Sequence, residues 1–138
     1  MTLELNVDSP PKHMNVKILI IEDDPDDLHA IERMLTDYQV TAARSLAVGL
    51  DALAEPFDIV LLDLALPDSD GPNAIAQILE KANVAVIVLT GLQDEEVALR
   101  ALNLGAQDYF VKGHFGIDSL SMAVQQAIER KRGMSGTC

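Results

Sequence analysis

Four apolar segments of this chain end in side chains that could share one chemistry. Glu22-Asp23-Asp24 closes VKILII, Asp63 closes IVLL, Thr90 closes VAVIVL and Lys112 closes QDYFV. Three or more carboxylates, a hydroxyl and an ammonium would form a set of oxygen ligands with one fixed positive charge beside it. Carboxylates crowded together repel and raise one another's pKa unless a cation shares the site. Oxygen-only ligands suit a hard cation such as Mg²⁺ (or Mn²⁺), which typically keeps part of its water shell while taking a few carboxylates and a phosphoryl oxygen. The chemistry that fits is phosphoryl transfer to the Asp63 carboxylate, a known type of nucleophile. Lys112 and Thr90 would hold the remaining phosphoryl oxygens by charge and hydrogen bond. Taken singly, each residue has a plainer reading, since a charge after a strand is usually solvated and a Thr there is usually a cap. Their arrival at one edge is what argues for a site.

That edge has to be built by strands. Five of the six residues from Ile59 to Leu64 are aliphatic, the exception being Asp63, and such a run is expected of a strand buried on both faces of a parallel sheet. An unpaired charge is costly inside such a strand, so Asp63 belongs at its carboxyl end, where open parallel sheets place their sites. Val16 to Ile21 predicts a first strand, Gln39 to Arg44 a weaker second, Val84 to Leu89 a fourth and Gln107 to Val111 a fifth. Between them, Leu28, Ile31, Met34 and Leu35 recur at helical spacing after the cap Asp24 and Pro25, as do Leu46, Leu50 and Leu53 after Ser45. Further helices are expected from about Pro72 to Lys81, Gln93 to Leu104 and Ile117 to Arg132, with Gly105 stopping the fourth. Strict alternation predicts an α/β fold, a doubly wound five-stranded parallel sheet of flavodoxin-like order 2-1-3-4-5. In that order the ends of strands one and three flank the crevice.

Residues 1–15, with Pro10-Pro11, read as a loose arm or leader, residues 16–132 as one domain, and 133–138 (GMSGTC) as a disordered or vector-derived tail. No effector domain follows Arg132, which is expected of a stand-alone domain or a piece of a longer protein. The net charge of −12 and a sequence pI near 4.4 argue against a nucleic-acid surface. The single cysteine, Cys138, excludes a disulfide framework and a thiolate metal cluster and fits a reducing compartment. No apolar run approaches a membrane span, and the N-terminus lacks a signal pattern, so a cytoplasmic protein is expected. His13, His29 and His114 have no ligand-like spacing, and Arg130-Lys131-Arg132 reads as a solvated helix end favourable to the dipole.

The segments ILIIEDDP, LLDLALPDSDG, VIVLTG and GAQDYFVKG, in this order and spacing, resemble the response-regulator receiver domain of two-component signalling from about Val16 to Arg132. The resemblance implies that Asp63 is the phosphoacceptor, charged by a sensor histidine kinase or phosphotransfer protein. It implies that Glu22 and Asp23 are the acidic pair at the metal, with Asp63 and the backbone carbonyl of Ala65 as further ligands. Asp24 falls just past the matching positions. Thr90 takes the switch hydroxyl's role, Lys112 the lysine's and Tyr109 that of a rotating aromatic; without the resemblance Tyr109 reads as core. The output would be a downstream protein target or a fused domain, and the chain would be a phosphoacceptor, not an enzyme. Ala65 and Leu92 occupy the two variable positions beside the acyl phosphate, and neither can orient a water. One departure is that the family's usual Lys-Pro is Lys112-Gly113 here, for which a trans bond is expected.

Two rivals share part of this pattern. A Mg²⁺-dependent phosphohydrolase of the haloacid-dehalogenase type also uses a strand-end Asp, but its second Asp would fall at Ala65. A flavodoxin-like FMN binder would share the fold, yet Glu22-Asp23-Asp24-Pro25-Asp26-Asp27 would repel a phosphate.

Overall fold

A computed structural model describes residues 13–136. Strands and helices alternate five times: β1 (His13–Ile21), α1 (Pro25–Met34), β2 (Tyr38–Ala43), α2 (Leu46–Ala52), β3 (Ile59–Leu62), α3 (Asn73–Lys81), β4 (Ala85–Thr90), α4 (Glu95–Asn103), β5 (Asp108–Val111) and α5 (Ile117–Gly136). All five strands pair in parallel in the order β2-β1-β3-β4-β5, as expected.

The period-two alternation of the central strands divides the core between the two faces of the sheet. Leu19, Ile21, Val60, Leu62, Val86 and Val88 pack with residues of α2, α3 and α4. Ile18, Ile20, Leu61, Ile87 and Leu89 pack with Leu28 and Ile31 of α1 and Leu120 and Val124 of α5. With β3 and β4 buried on both faces, a charged side chain is accommodated only where a strand leaves the sheet. Gly49 lets α2 lie close against β1, because a Cβ there would collide with the Ile21 side chain.

Local chemistry sets where the helices start. The Asp24 carboxylate accepts the Asp26 N–H at 2.9 Å with Pro25 following it, Ser45 Oγ accepts the Val48 N–H at 3.1 Å, and Asp94 Oδ1 accepts the Glu96 N–H at 2.9 Å. The differences from expectation lie at the ends. β1 begins at His13, three residues early, because the His13 ring stacks on Tyr38 at 4.8 Å between centroids and His13 pairs with Tyr38 across a register shift. α5 continues to Gly136, through part of the segment expected as tail. Residues 1–12 of the expected arm and Thr137 and Cys138 of the tail lie outside the described residues.

Candidate functional site

The site residues are placed by the last rungs of the sheet. Glu22 follows β1 and its N–H bonds the Ala43 carbonyl at 3.0 Å; Asp63 follows β3 and bonds the Ile21 carbonyl at 3.1 Å. Lys112 follows β5 and bonds the carbonyl of Thr90, the last residue of β4, at 2.8 Å. The backbone ladder thus runs one step past the strands and delivers Glu22, Asp63, Thr90 and Lys112 to a common edge.

Glu22, Asp63 and Thr90 are buried, while Asp23 is half-buried. One carboxylate oxygen from each of Glu22, Asp23 and Asp63 lies within 4.8 Å of the others, the spacing of atoms that can share one ion. The Lys112 ammonium stands 2.5 Å from Glu22 Oε1, 2.8 Å from Asp27 Oδ2 and 3.2 Å from Asp63 Oδ2. Burial pushes the Glu22 carboxyl up to about 7; the Lys112 ammonium and the Asp24 N–H oppose this, and the Asp63 charge adds to it. Burial alone would lower the Lys112 pKa, but its close contacts with Asp27 and Glu22 and the charges of Asp63 and Glu22 outweigh that and raise it.

These oxygens fit a hard divalent cation. Glu22 Oε1 is buried and meets no donor at hydrogen-bond geometry, so its contact with the ammonium is one of charge. A buried carboxyl oxygen without an aligned donor, in an all-oxygen set with Asp23 and Asp63, is suited to a Mg²⁺-like ion.

The neighbouring positions are also occupied in definite ways. Thr90 Oγ1 accepts the Leu92 N–H at 3.3 Å, and the Tyr109 hydroxyl donates to the Leu92 carbonyl at 2.6 Å. Leu92 is therefore gripped from both sides, although its side chain is 47% exposed. Partial burial, and after it the Asp94 charge, raises the Tyr109 pKa. The exposed Ala65 donates its N–H to Asp63 Oδ1 at 3.1 Å. Gly113 has φ +84°, a conformation that Pro cannot adopt, and no peptide bond among the described residues is cis.

Three participants escaped sequence reasoning. Asp27 looks like an ordinary acidic residue in a first helical turn, yet it holds Lys112. Arg44 donates from Nη2 at 2.8 Å and Nε at 3.2 Å to the Asp23 carbonyl and so braces the acidic loop. Asp68, in the loop after Asp63, accepts the Leu46 and Ala47 N–H groups at 2.9 and 3.0 Å and thereby ties that loop to the start of α2. These three contacts join residues far apart in sequence, and no local motif announces them. None of the histidines joins the group of Glu22, Asp23 and Asp63: His13 stacks on Tyr38, His29 is exposed with Nδ1 3.7 Å from Glu32, and the His114 backbone N–H bonds the Val111 carbonyl. Arg130 bonds Gln107 at 2.9 Å and Arg132 lies 3.7 Å from Asp58, as suits a helix end.

The sequence model described as "Response regulator receiver domain" matches residues 18–125. The chain is similar to the transcriptional regulatory protein KdpE of Staphylococcus aureus, with 38% identity over 85% of this chain and 51% of that protein. It is likewise similar to the response regulator ArlR of Staphylococcus epidermidis, with 35% identity over 83% of this chain and 53% of that protein. The chain therefore spans about half the length of these relatives. Among solved structures, a response regulator receiver domain protein from Clostridium thermocellum superposes with a TM-score of 0.78 and 32% identity, covering 86% of this chain and 98% of that one. Neither the dehalogenase-like nor the FMN-binding alternative is favoured beside these matches. With its sheet order, its strand-end residues and the family match in agreement, the chain belongs to the response regulator receiver domain family of two-component signalling.

Proposed function

We propose that Asp63 is the phosphoacceptor of this receiver domain. The observation that carries this reading is the position of Asp63 Oδ2, 3.2 Å from the Lys112 ammonium, within a carboxylate group spaced to share one ion. A carboxylate oxygen of Asp63 attacks phosphorus; the bond from phosphorus to the donor breaks as the bond to Asp63 forms. With a histidine kinase or phosphotransfer protein as donor, the bond broken is P–N of a phosphohistidine, and the imidazole leaves with its electron pair.

Glu22, Asp23 and Asp63, with the Ala65 carbonyl, would hold Mg²⁺ or Mn²⁺. Such an ion, when bound, supplies neutralisation of charge on the phosphoryl oxygens. Lys112 offers a fixed ammonium to a phosphoryl oxygen, and Thr90 offers its hydroxyl once that hydroxyl turns from the Leu92 N–H. Because Tyr109 holds the Leu92 carbonyl, a shift of the Thr90–Leu92 segment would also move Tyr109, which supports a switch from the buried site to the surface.

In this reading the chain is a signalling phosphoacceptor that works in the cytoplasm and acts by protein contact on a downstream target or a fused output domain. Its net charge of −12 speaks against direct DNA binding by the domain. Among the described residues, no helix is long and apolar enough to cross a membrane.

The test is intact-mass measurement after treatment with acetyl phosphate, with and without Mg²⁺. One added phosphoryl group is expected in the wild type with the ion and none in Asp63→Asn. An adduct that persists in Asp63→Asn overturns the assignment.

A further inference from the structure

Lys112 and a bound cation would want the same oxygens. The ammonium lies against Glu22 Oε1 and Asp63 Oδ2, and both residues belong to the group spaced to share an ion. A cation entering that group has to draw at least part of this negative charge away from the ammonium. Asp27 is the remaining carboxylate on Lys112, accepts a hydrogen bond from it at 2.8 Å, and stands outside the ion-sharing group. Its side chain is 40% exposed, so keeping it charged costs little desolvation. It comes from the first turn of α1, while Glu22 and Asp63 come from the strand ends, so the ammonium has one carboxylate partner on an element that supplies none of the ion-sharing oxygens. A cavity of about 100 Å³, lined in part by Ile31, Met34 and Phe115, borders both Asp27 and Lys112 and gives the lysine room on that side.

We infer that Asp27 is a positioning residue for Lys112: it retains the ammonium from the α1 side, so that Glu22 and Asp63 can turn to a divalent cation. Without Asp27 the ammonium has only the two cluster carboxylates as partners and becomes a built-in competitor of the ion. This role rests on the phosphoacceptor reading of Asp63.

The experiment is calorimetric titration of Mg²⁺ into the metal-free chain, alongside the acetyl phosphate reaction. The variants are Asp27→Asn, Asp27→Glu, Lys112→Ala and the double variant, with Asp26→Asn as a control for the loss of one nearby charge. Circular dichroism confirms that each is folded. Asp27→Asn is expected to weaken Mg²⁺ binding about three- to tenfold more than Asp26→Asn does, the scale of one charge-assisted hydrogen bond. Asp27→Glu should recover most of the affinity. In the Lys112→Ala background, Asp27→Asn should add no more than the Asp26→Asn control. Equal weakening with and without Lys112, or no weakening beyond the control, overturns the role of Asp27. If that happens while Asp63 still accepts a phosphoryl group, the phosphoacceptor reading stands. A wild type that binds no Mg²⁺ and gains no phosphoryl group overturns both.

Discussion

The Lys112 ammonium and the Glu22 carboxylate stand 2.5 Å apart, and the Glu22 side chain is only 1% exposed. Removing one partner of such a pair leaves a charge in poor solvent. Lys112→Ala should destabilise the metal-free chain by on the order of 1–3 kcal/mol, less than for a fully buried pair because Lys112 is partly exposed. Mg²⁺ should return more of that loss than it adds to the wild type, since the ion replaces the missing positive charge. Urea unfolding with and without Mg²⁺ measures both effects.

The Asp68 cap should show itself in acid. Its bonds to the Leu46 and Ala47 N–H groups hold the Asp68 carboxyl below its ordinary value of 3.8. A depressed carboxyl contributes stability that is present above the unfolded pKa and lost as pH falls through the folded one. The stability gap between wild type and Asp68→Ala should therefore be full at neutral pH and narrow below about 3.8. The Leu46 and Ala47 amide signals, followed by NMR against pH, should move in the same acid window.

Gly113 predicts a local backbone cost. At φ +84° an added Cβ meets no neighbour within 4 Å, so the penalty of Gly113→Ala comes from the backbone itself. About 1–2 kcal/mol is expected. Gly113→Pro should cost more, because proline holds φ near −65°. Denaturant midpoints of the two variants decide it.

On the phosphoacceptor reading of Asp63, loss of the phosphoryl group should be slow, because the side chains expected beside it are Ala65 and Leu92. Neither can orient a water for attack on an acyl phosphate. Ala65→Asn and Leu92→Glu should each speed the loss by about tenfold or more, within the range of a water-positioning or general-base group. The decay of the phosphorylated mass at fixed Mg²⁺ measures the rate. If neither replacement speeds it, water access is not limited at these positions.

The sheet and its edge were legible because strands buried on both faces leave few places for a polar side chain. Asp63 after IVLL and Thr90 after VAVIVL are conspicuous for that reason, and the alternation of segments then orders the strands. Asp27 was not legible as a partner of Lys112, since acidic residues favour any helix start and 85 positions separate the two. Asp68 and Arg44 were hidden in the same way: one caps a helix 22 residues earlier, and the other reaches a backbone carbonyl 21 residues away. The start of β1 was misplaced because Pro10-Pro11 suggested a loose arm, whereas ring stacking between His13 and Tyr38 extends the strand backward.

The hydrogen bonds from Glu22 to Ala43, Asp63 to Ile21 and Lys112 to Thr90 have a consequence for how such a protein can diversify. They anchor Glu22, Asp63 and Lys112 to main chain, whose geometry survives most side-chain replacements. The outward helix positions carry no such duty; Leu99, Ile117 and Met122 are each more than half exposed. Side chains on these outer surfaces can therefore be exchanged without disturbing the backbone bonds that place the sheet-edge residues. Exchanging exposed helix residues between two such domains should redirect partner choice without altering the rate at which a small donor modifies Asp63.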